Sequence, residues 1–305
     1  MNSLHVSVSP HIRSNVSTSR IMGDVILALL PVSVVSVILF GAGAAALLCC
    51  CTASAVISEY LFNLIVKKDQ TIGDLSAVVT GLLLALNLPI KTPLWQAVLG
   101  TVFAIVAVKG LFGGIGQNFA NPAMAARVMM LLSFGDSLSA GDGIRADFIS
   151  GATPLAADAV QAQKFSYLDL LLGNYGGAIG ETCSLALIAG GVYLLVRRVI
   201  TWHTPVAFVG ITFLITWALG QDPLYQILSG GLLLGAIFMA TDYSTTPTNH
   251  WGKLIFGAGC AVITVAIRTW GNYPEGTSFA ILFMNILTPY IEKWTRKKPL
   301  GGETA

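Results

Sequence analysis

Thr80–Pro89 reads TGLLLALNLP, and Gly230–Met239, 150 residues further along, reads GGLLLGAIFM. Two apolar segments of matching texture, each opened by small residues, raise the question of whether one unit occurs twice. Outward from them the parallel continues. WQAVLGTVFAIVAVKG from Trp95 is echoed by WGKLIFGAGCAVITVAIRTWG from Trp251, an offset of 156, and GQNFANPAMAARVMM from Gly116 by GNYPEGTSFAILFMN from Gly271, an offset of 155. Offsets that agree this closely predict a duplicated body.

Composition says in what solvent that body sits. Hydrophobic residues fill 54% of the 305 positions, charged residues only 10%, and the mean hydropathy is +0.74. Soluble domains carry about 25% charged residues, so most of this surface is expected to meet hydrocarbon. The net charge of +2 provides no field for nucleic acid. A span needs about 20 apolar residues to cross the bilayer core. On that measure ten spans are predicted, near 22–40, 44–66, 73–89, 94–112, 121–134, 178–197, 204–220, 222–241, 252–270 and 276–294. The expected fold is an all-α polytopic membrane protein. Residues 22–134 and 178–294 form two five-helix repeats, flanked by cytoplasmic segments 1–21 and 295–305. An odd number of spans per copy forces the copies into opposite orientations, the inverted-repeat plan of many transporters. No cleavable signal peptide is expected, since the first apolar run is too long for one.

Lysine and arginine counts orient the chain. Twelve fall on the side of both termini and four on the other, with Arg127 inside the fifth predicted span. Both termini are therefore expected in the cytoplasm and the connecting segment 135–177 outside. The five cysteines, Cys49, Cys50, Cys51, Cys183 and Cys260, lie in apolar runs without C-x-x-C spacing, and the four histidines are scattered. They read as small packing residues, and no metal site is expected on this chain alone.

Segment 135–177 carries five aspartates against Arg145 and Lys164. Loops of this length tend to be functional or disordered. Within it stands DFISGATPL, Asp147 to Leu155. Thr153-Pro154 reads as a helix N-cap followed by a first helical residue. The same hydroxyl, between glycine-alanine and proline, is also sterically open to a modifying enzyme, and a helix start favours a phosphate. Both readings can hold together.

DFISGATPL resembles the D-x-x-S-G-A-T signal at which a flavin transferase attaches FMN through its phosphate to threonine. SEYLFNLIVKK from Ser58, DLSAVVTGLLLALNLP from Asp74 and GGIGQNFANPAMAARV from Gly113 extend the likeness along nearly the whole chain. Together they resemble the D subunits of Rnf ion-translocating ferredoxin:NAD+ oxidoreductase complexes, related to the B subunit of the sodium-pumping NADH:quinone oxidoreductase. The resemblance implies covalent FMN on Thr153, with Ser150, Gly151 and Ala152 as the recognition knot and Asp147 as the leading acid. It implies a bacterial inner-membrane location, partner subunits of the A, B, C, E and G types bearing other flavins, clusters and substrate sites, and maturation by the flavin transferase. Some members also hold non-covalent riboflavin.

For ion coupling, the acidic groups near span ends are Asp24, Glu59, Asp74 and Glu181. Asp24 and Glu181 lie 157 apart, close to the repeat offset, and read as equivalent pathway positions; hydrated structural carboxylates are the plainer alternative. Arg127 is expected to pair with a carboxylate, a phosphate or helix C-terminal carbonyls, a flavin phosphate among them. The glycines of GLFGGIG, Gly110 to Gly116, read either as helix packing or as a helix break beside a ligand. A solute channel or carrier of the same frame is the rival function; it has no need of the D-x-x-S-G-A-T loop.

Overall fold

The chain folds as an all-helical bundle in the computed structural model, which describes residues 17–135, 138, 166–173, 177–181, 183–271 and 276–296. Helix α1 spans Thr18–Phe40 and α2 Ala42–Val66. After a 3-10 turn at Ile72–Asp74 comes the short α3, Ser76–Leu86. Helix α4, Leu94–Val102, continues as a π-helix over Phe103–Gly110, and α5 covers Pro122–Ser133. Helix α6 is Tyr167–Leu172, α7 Ser184–Val196 and α8 His203–Ala218. Two fragments follow: α9, Pro223–Leu228, and α10, Leu232–Leu234, which continues as a π-turn over Gly235–Met239. Helices α11, His250–Trp270, and α12, Thr277–Thr295, complete the described chain. Three helices, α1, α2 and α11, are long and apolar enough to cross a membrane. With the composition, they make this a membrane protein.

Helical segments fall within each of the ten predicted spans, but several are shorter than drawn. The span expected over 73–89 holds eleven helical residues, because Thr71–Leu75 is spent on a 3-10 turn and a left-handed Leu75, φ +63°. That expected over 222–241 is broken at Ser229-Gly230-Gly231, where Gly230 has φ +68°. The start of α5 is as the sequence dictates. Asn121 caps it, its Oδ1 accepting from the N–H groups of Ala123 (3.0 Å) and Met124 (3.3 Å), and Pro122 is the first helical residue.

Inside an apolar bundle a broken helix must find partners for its backbone. Here the ends satisfy one another. Beyond α3, Leu86 and Leu88 accept hydrogen bonds at their carbonyls from Gly180 N–H (2.7 Å) and Ile179 N–H (3.0 Å), and Pro89 bridges to Ala178. Ser36 of α1 donates to the Ile179 carbonyl at 2.8 Å. The unwound segment before α7 is thereby fixed against the unwound end of α3.

Between helices, glycine sets the approach. Helix α3 packs on α2, α7 on α1, and α11 on α8, while α5 meets α12. A Cβ on Gly81 would lie 2.7 Å from the Cys51 carbonyl oxygen, on Gly190 2.4 Å from that of Ala28, and on Gly257 2.7 Å from that of Thr204. Lipid competes with any apolar side chain, so close backbone contact is what holds such crossings. Gly190→Ala should therefore destabilise by about 1–3 kcal/mol through overpacking. Gly23→Ala, on the same pair of helices but with nothing within 4 Å of the added carbon, should be neutral or gain up to about 1 kcal/mol of helix propensity. Unfolding of the detergent-solubilised variants measures both; equal losses would remove the close-packing account.

Candidate functional site

Lys109 is the last charged residue before the helix ends, and its position counts it with the loop cations. The structure corrects that reading. Lys109 lies on the π-helix and is buried, its Nζ 2.7 Å from Glu59 Oε1 and 2.6 Å from Ser76 Oγ. A π-helix carries one residue more per turn and often accompanies a functional position. Glu59 comes from the last third of α2. Its Oε1 also accepts from Thr71 Oγ1 (2.8 Å), and that hydroxyl accepts in turn from Asn63 Nδ2 (3.0 Å). On the far side, Ser76 donates to Asp74 Oδ1. The second carboxylate oxygen, Glu59 Oε2, is buried and has no hydrogen bond.

This network forms the wall of a cavity of about 380 Å³, lined further by Lys68, Asp69, Gly113 and Gly114. The glycines of GLFGGIG both break the helix and allow close packing. Gly113, Gly114 and Gly116 take φ of +119°, +106° and +84°, breaking the helix at the cavity mouth. Gly110 admits the Phe62 ring, which a Cβ would meet at 2.8 Å.

Lys109 also lines a second, smaller cavity of about 90 Å³ between the two halves, with Asn118, Asn121, Phe238, Thr241 and Asp242. Asn118 Oδ1 is buried there without a hydrogen bond. Asp242 accepts from Ser244 Oγ and Thr245 Oγ1, each at 3.1 Å. Burial pushes its carboxyl above the ordinary carboxylate value, against the opposing pull of those hydrogen bonds.

Of the residues named from the sequence, Glu59 and Asp74 meet in the Lys109 network, while Asp24, Glu181 and Arg127 are not among those lining the larger cavity. Asp24, on α1, pairs with Arg197 at 3.2 Å and accepts from Tyr193 OH at 3.0 Å, joining α1 to α7. The Arg197 side chain is 41% exposed and that of Asp24 12%, so solvent reaches the pair from the arginine side and screens it there. Asp24→Asn should cost no more than about 1 kcal/mol of stability in detergent unfolding; a larger loss would give the pair a structural weight its exposure does not predict. Glu181 lies instead at the junction of broken helices, its Oε1 3.0 Å from where a Gly231 Cβ would project and close to Asn87. Repeat arithmetic pairs Asp24 with Glu181, and both are buried, but Asp24 faces an exposed arginine at the α1–α7 contact whereas Glu181 sits among broken helix ends. Arg127 is fully buried in α5. Thr153, Ser150, Gly151, Ala152 and Asp147 lie outside the described residues. The Glu59–Lys109 pair escaped sequence reading because 50 residues separate its members. The only signal was the presence of one cation and one acid near the ends of apolar runs.

Comparison with known proteins bears on what this arrangement serves. The profile of the NQR2, RnfD, RnfE family matches residues 5–301. The chain is 45% identical, over 99% of its length and 97% of the relative's, to the D subunit of the Na(+)-translocating ferredoxin:NAD(+) oxidoreductase complex of Acetobacterium woodii. It is 37% identical, over 98% and 97%, to the D subunit of the proton-translocating ferredoxin:NAD(+) oxidoreductase complex of Clostridium ljungdahlii. With the D subunit of the ion-translocating oxidoreductase complex of Stutzerimonas stutzeri it shares 39% identity over 93% and 92%. A match along almost the entire chain, carrying the buried cluster and the threonine loop within it, leads to one conclusion: the protein belongs to the NQR2, RnfD, RnfE family.

Proposed function

We propose that this chain is the D-type membrane subunit of an ion-translocating ferredoxin:NAD+ oxidoreductase complex, carrying FMN on Thr153 and working beside other subunits of that complex. The observation that carries the reading is full-length similarity to subunits so named, at 45% identity in the first instance. The sequence DFISGATPL supports the cofactor, because a threonine hydroxyl is the one group a phosphoester attachment requires. Once attached by a flavin transferase, the flavin supplies exchange between two-electron and one-electron carriers.

The topology belongs to the same proposal: ten spans in two inverted repeats, both termini cytoplasmic in a bacterial inner membrane, and the Thr153 loop outside. Recurring packing supports it, since α3 lies on α2 as α9 lies on α8, and α4 meets α2 as α11 meets α8. The unwound ends around Glu181 and Gly231 meet where such repeats place their sites.

For the ion, the chain's own groups suggest an exchange of charges. Lys109 is the cation resident on Glu59, and it borders both cavities. A Na+ or H+ entering the larger cavity would compete with that ammonium for Glu59, whose Oε2 has no hydrogen-bond partner. Displaced, Lys109 would turn toward Asn118 and Asp242. A carboxylate accepts either ion, so this geometry suits relatives named for sodium and for protons alike. Asp24 and Glu181 remain proposed pathway groups, and riboflavin a proposed second cofactor.

Intact-mass and peptide analysis of the chain, purified from a host containing the transferase, tests the central assignment. A mass increment of FMN less water on the Thr153 peptide is expected. An unmodified peptide would leave a solute channel or carrier as the better reading.

A further inference from the structure

Helices α7 and α8 follow one another in the chain but do not pack together along their length; α7 lies on α1 and α8 on α11. Between them is a cleft of about 370 Å³ with an almost wholly apolar wall, formed by Ile188, Val192 and Leu195 on one side and Val206, Val209 and Gly210 on the other. Ile237 of the π-turn floors it beside Gly191. Gly210 has open space where a side chain would stand. A slot of this kind at membrane depth cannot be left void without losing dispersion contacts on every wall, and water gains nothing there.

The connecting turn closes one end of the cleft, and this end is cationic. The turn adds Ile200 to the lining, and Arg198 stands in it between the lining residues Leu195 and Ile200. Arg198 is exposed and held at φ +57°, and its side chain makes no hydrogen bond or ion pair among the described residues. Arg197 beside it keeps 41% of its side chain exposed although paired with Asp24. Trp202 belongs to the same turn, 55% exposed and stacked on His203, an indole of the kind found at a headgroup boundary. An apolar slot ending at an unengaged guanidinium and an interfacial indole matches an amphiphile: a chain in the slot and a phosphate on the arginine, which binds such oxygens bidentately.

We infer that the α7–α8 cleft is a binding site for an anionic phospholipid, with one acyl chain between the helices and the phosphate on Arg198. Charge complementarity selects this occupant over a helix of another subunit, which would have to bring an acidic group to the same end.

The test uses the full chain in nanodiscs of equimolar phosphatidylglycerol and phosphatidylcholine, with native mass spectrometry of the lipid retained on release. Wild type should retain phosphatidylglycerol in preference to phosphatidylcholine. Arg198→Gln should lower that preference about fivefold, the effect of one basic residue at a membrane surface, with total retained lipid unchanged. Gly210→Leu, whose Cβ has no atom within 4 Å and whose branched end would occupy the slot, should abolish retention of both lipids while leaving the helical circular dichroism unchanged. An Arg198→Gln variant with the wild-type preference would overturn the assignment, as would wild type without preference or Gly210→Leu with undiminished lipid. In the assembled complex, loss of a neighbouring subunit from Gly210→Leu at constant lipid would make the occupant a helix and equally overturn it.

Discussion

Thr153→Ala should abolish the flavin fluorescence of the denatured polypeptide in a gel, while the amount of chain inserted in the membrane stays that of wild type. The expected effect is total because the proposed linkage is covalent: a phosphoester needs an oxygen on the side chain, and alanine has none. A non-covalent flavin would leave the chain on denaturation, so the gel reads the attached one alone. Complexes assembled with the variant should retain reactions that run through the other subunits' own centres and lose electron flow that passes through this chain. A fluorescent band of undiminished intensity would show that another residue is the acceptor. Loss of the band together with loss of the inserted chain would show a folding effect, which an immunoblot of the same membranes separates from loss of the flavin.

Lys109→Met removes a charge that Glu59 needs. Both side chains are almost fully buried, at 3% and 5% exposure, so solvent neither screens the pair nor compensates for its loss. Breaking such a pair from one side typically costs about 3–5 kcal/mol, chiefly because the remaining charge is left unmatched. Methionine keeps the length and apolar character of the lysine stem, so packing contributes little to that loss. The double variant Glu59→Gln with Lys109→Met should recover most of the stability, since it leaves no orphan charge. The coupling between the two substitutions should then exceed the few tenths of a kcal/mol of independent sites. Denaturation of the four proteins in detergent completes the cycle. Additive losses would show that the two groups do not depend on each other. If the pair is also the coupling element proposed above, the double variant should be stable yet deficient in ion uptake by the reconstituted complex, a split that a purely structural pair would not produce.

Much of the architecture was legible from the chain alone because hydrophobic length is a property of consecutive residues. Every predicted span contains helix in the structure, and Asn121-Pro122 marks a helix start by chemistry that acts within three residues. What failed was non-local in cause. A run of apolar residues such as LSGGLLLGAIFMA does not reveal that its helix breaks at Ser229–Gly231 and resumes as a π-turn, because a break in hydrocarbon depends on whether a partner backbone is there to accept its hydrogen bonds. For the end of α3 that partner is the segment around Ile179, which belongs to a distant part of the sequence.

From its sequence the protein was determined to be a helical membrane chain with a threonine motif that resembles a flavin-attachment signal, since composition, apolar run length and a contiguous motif are all one-dimensional quantities. Only the tertiary structure decided that Lys109 leaves the loops and enters the interior to neutralise Glu59, and that Asp24 and Glu181 occupy different surroundings. The reason is physical. The energy of a charge depends on the solvent and counter-charge around it, and both are set by which helices come together, not by which residues are neighbours in the chain.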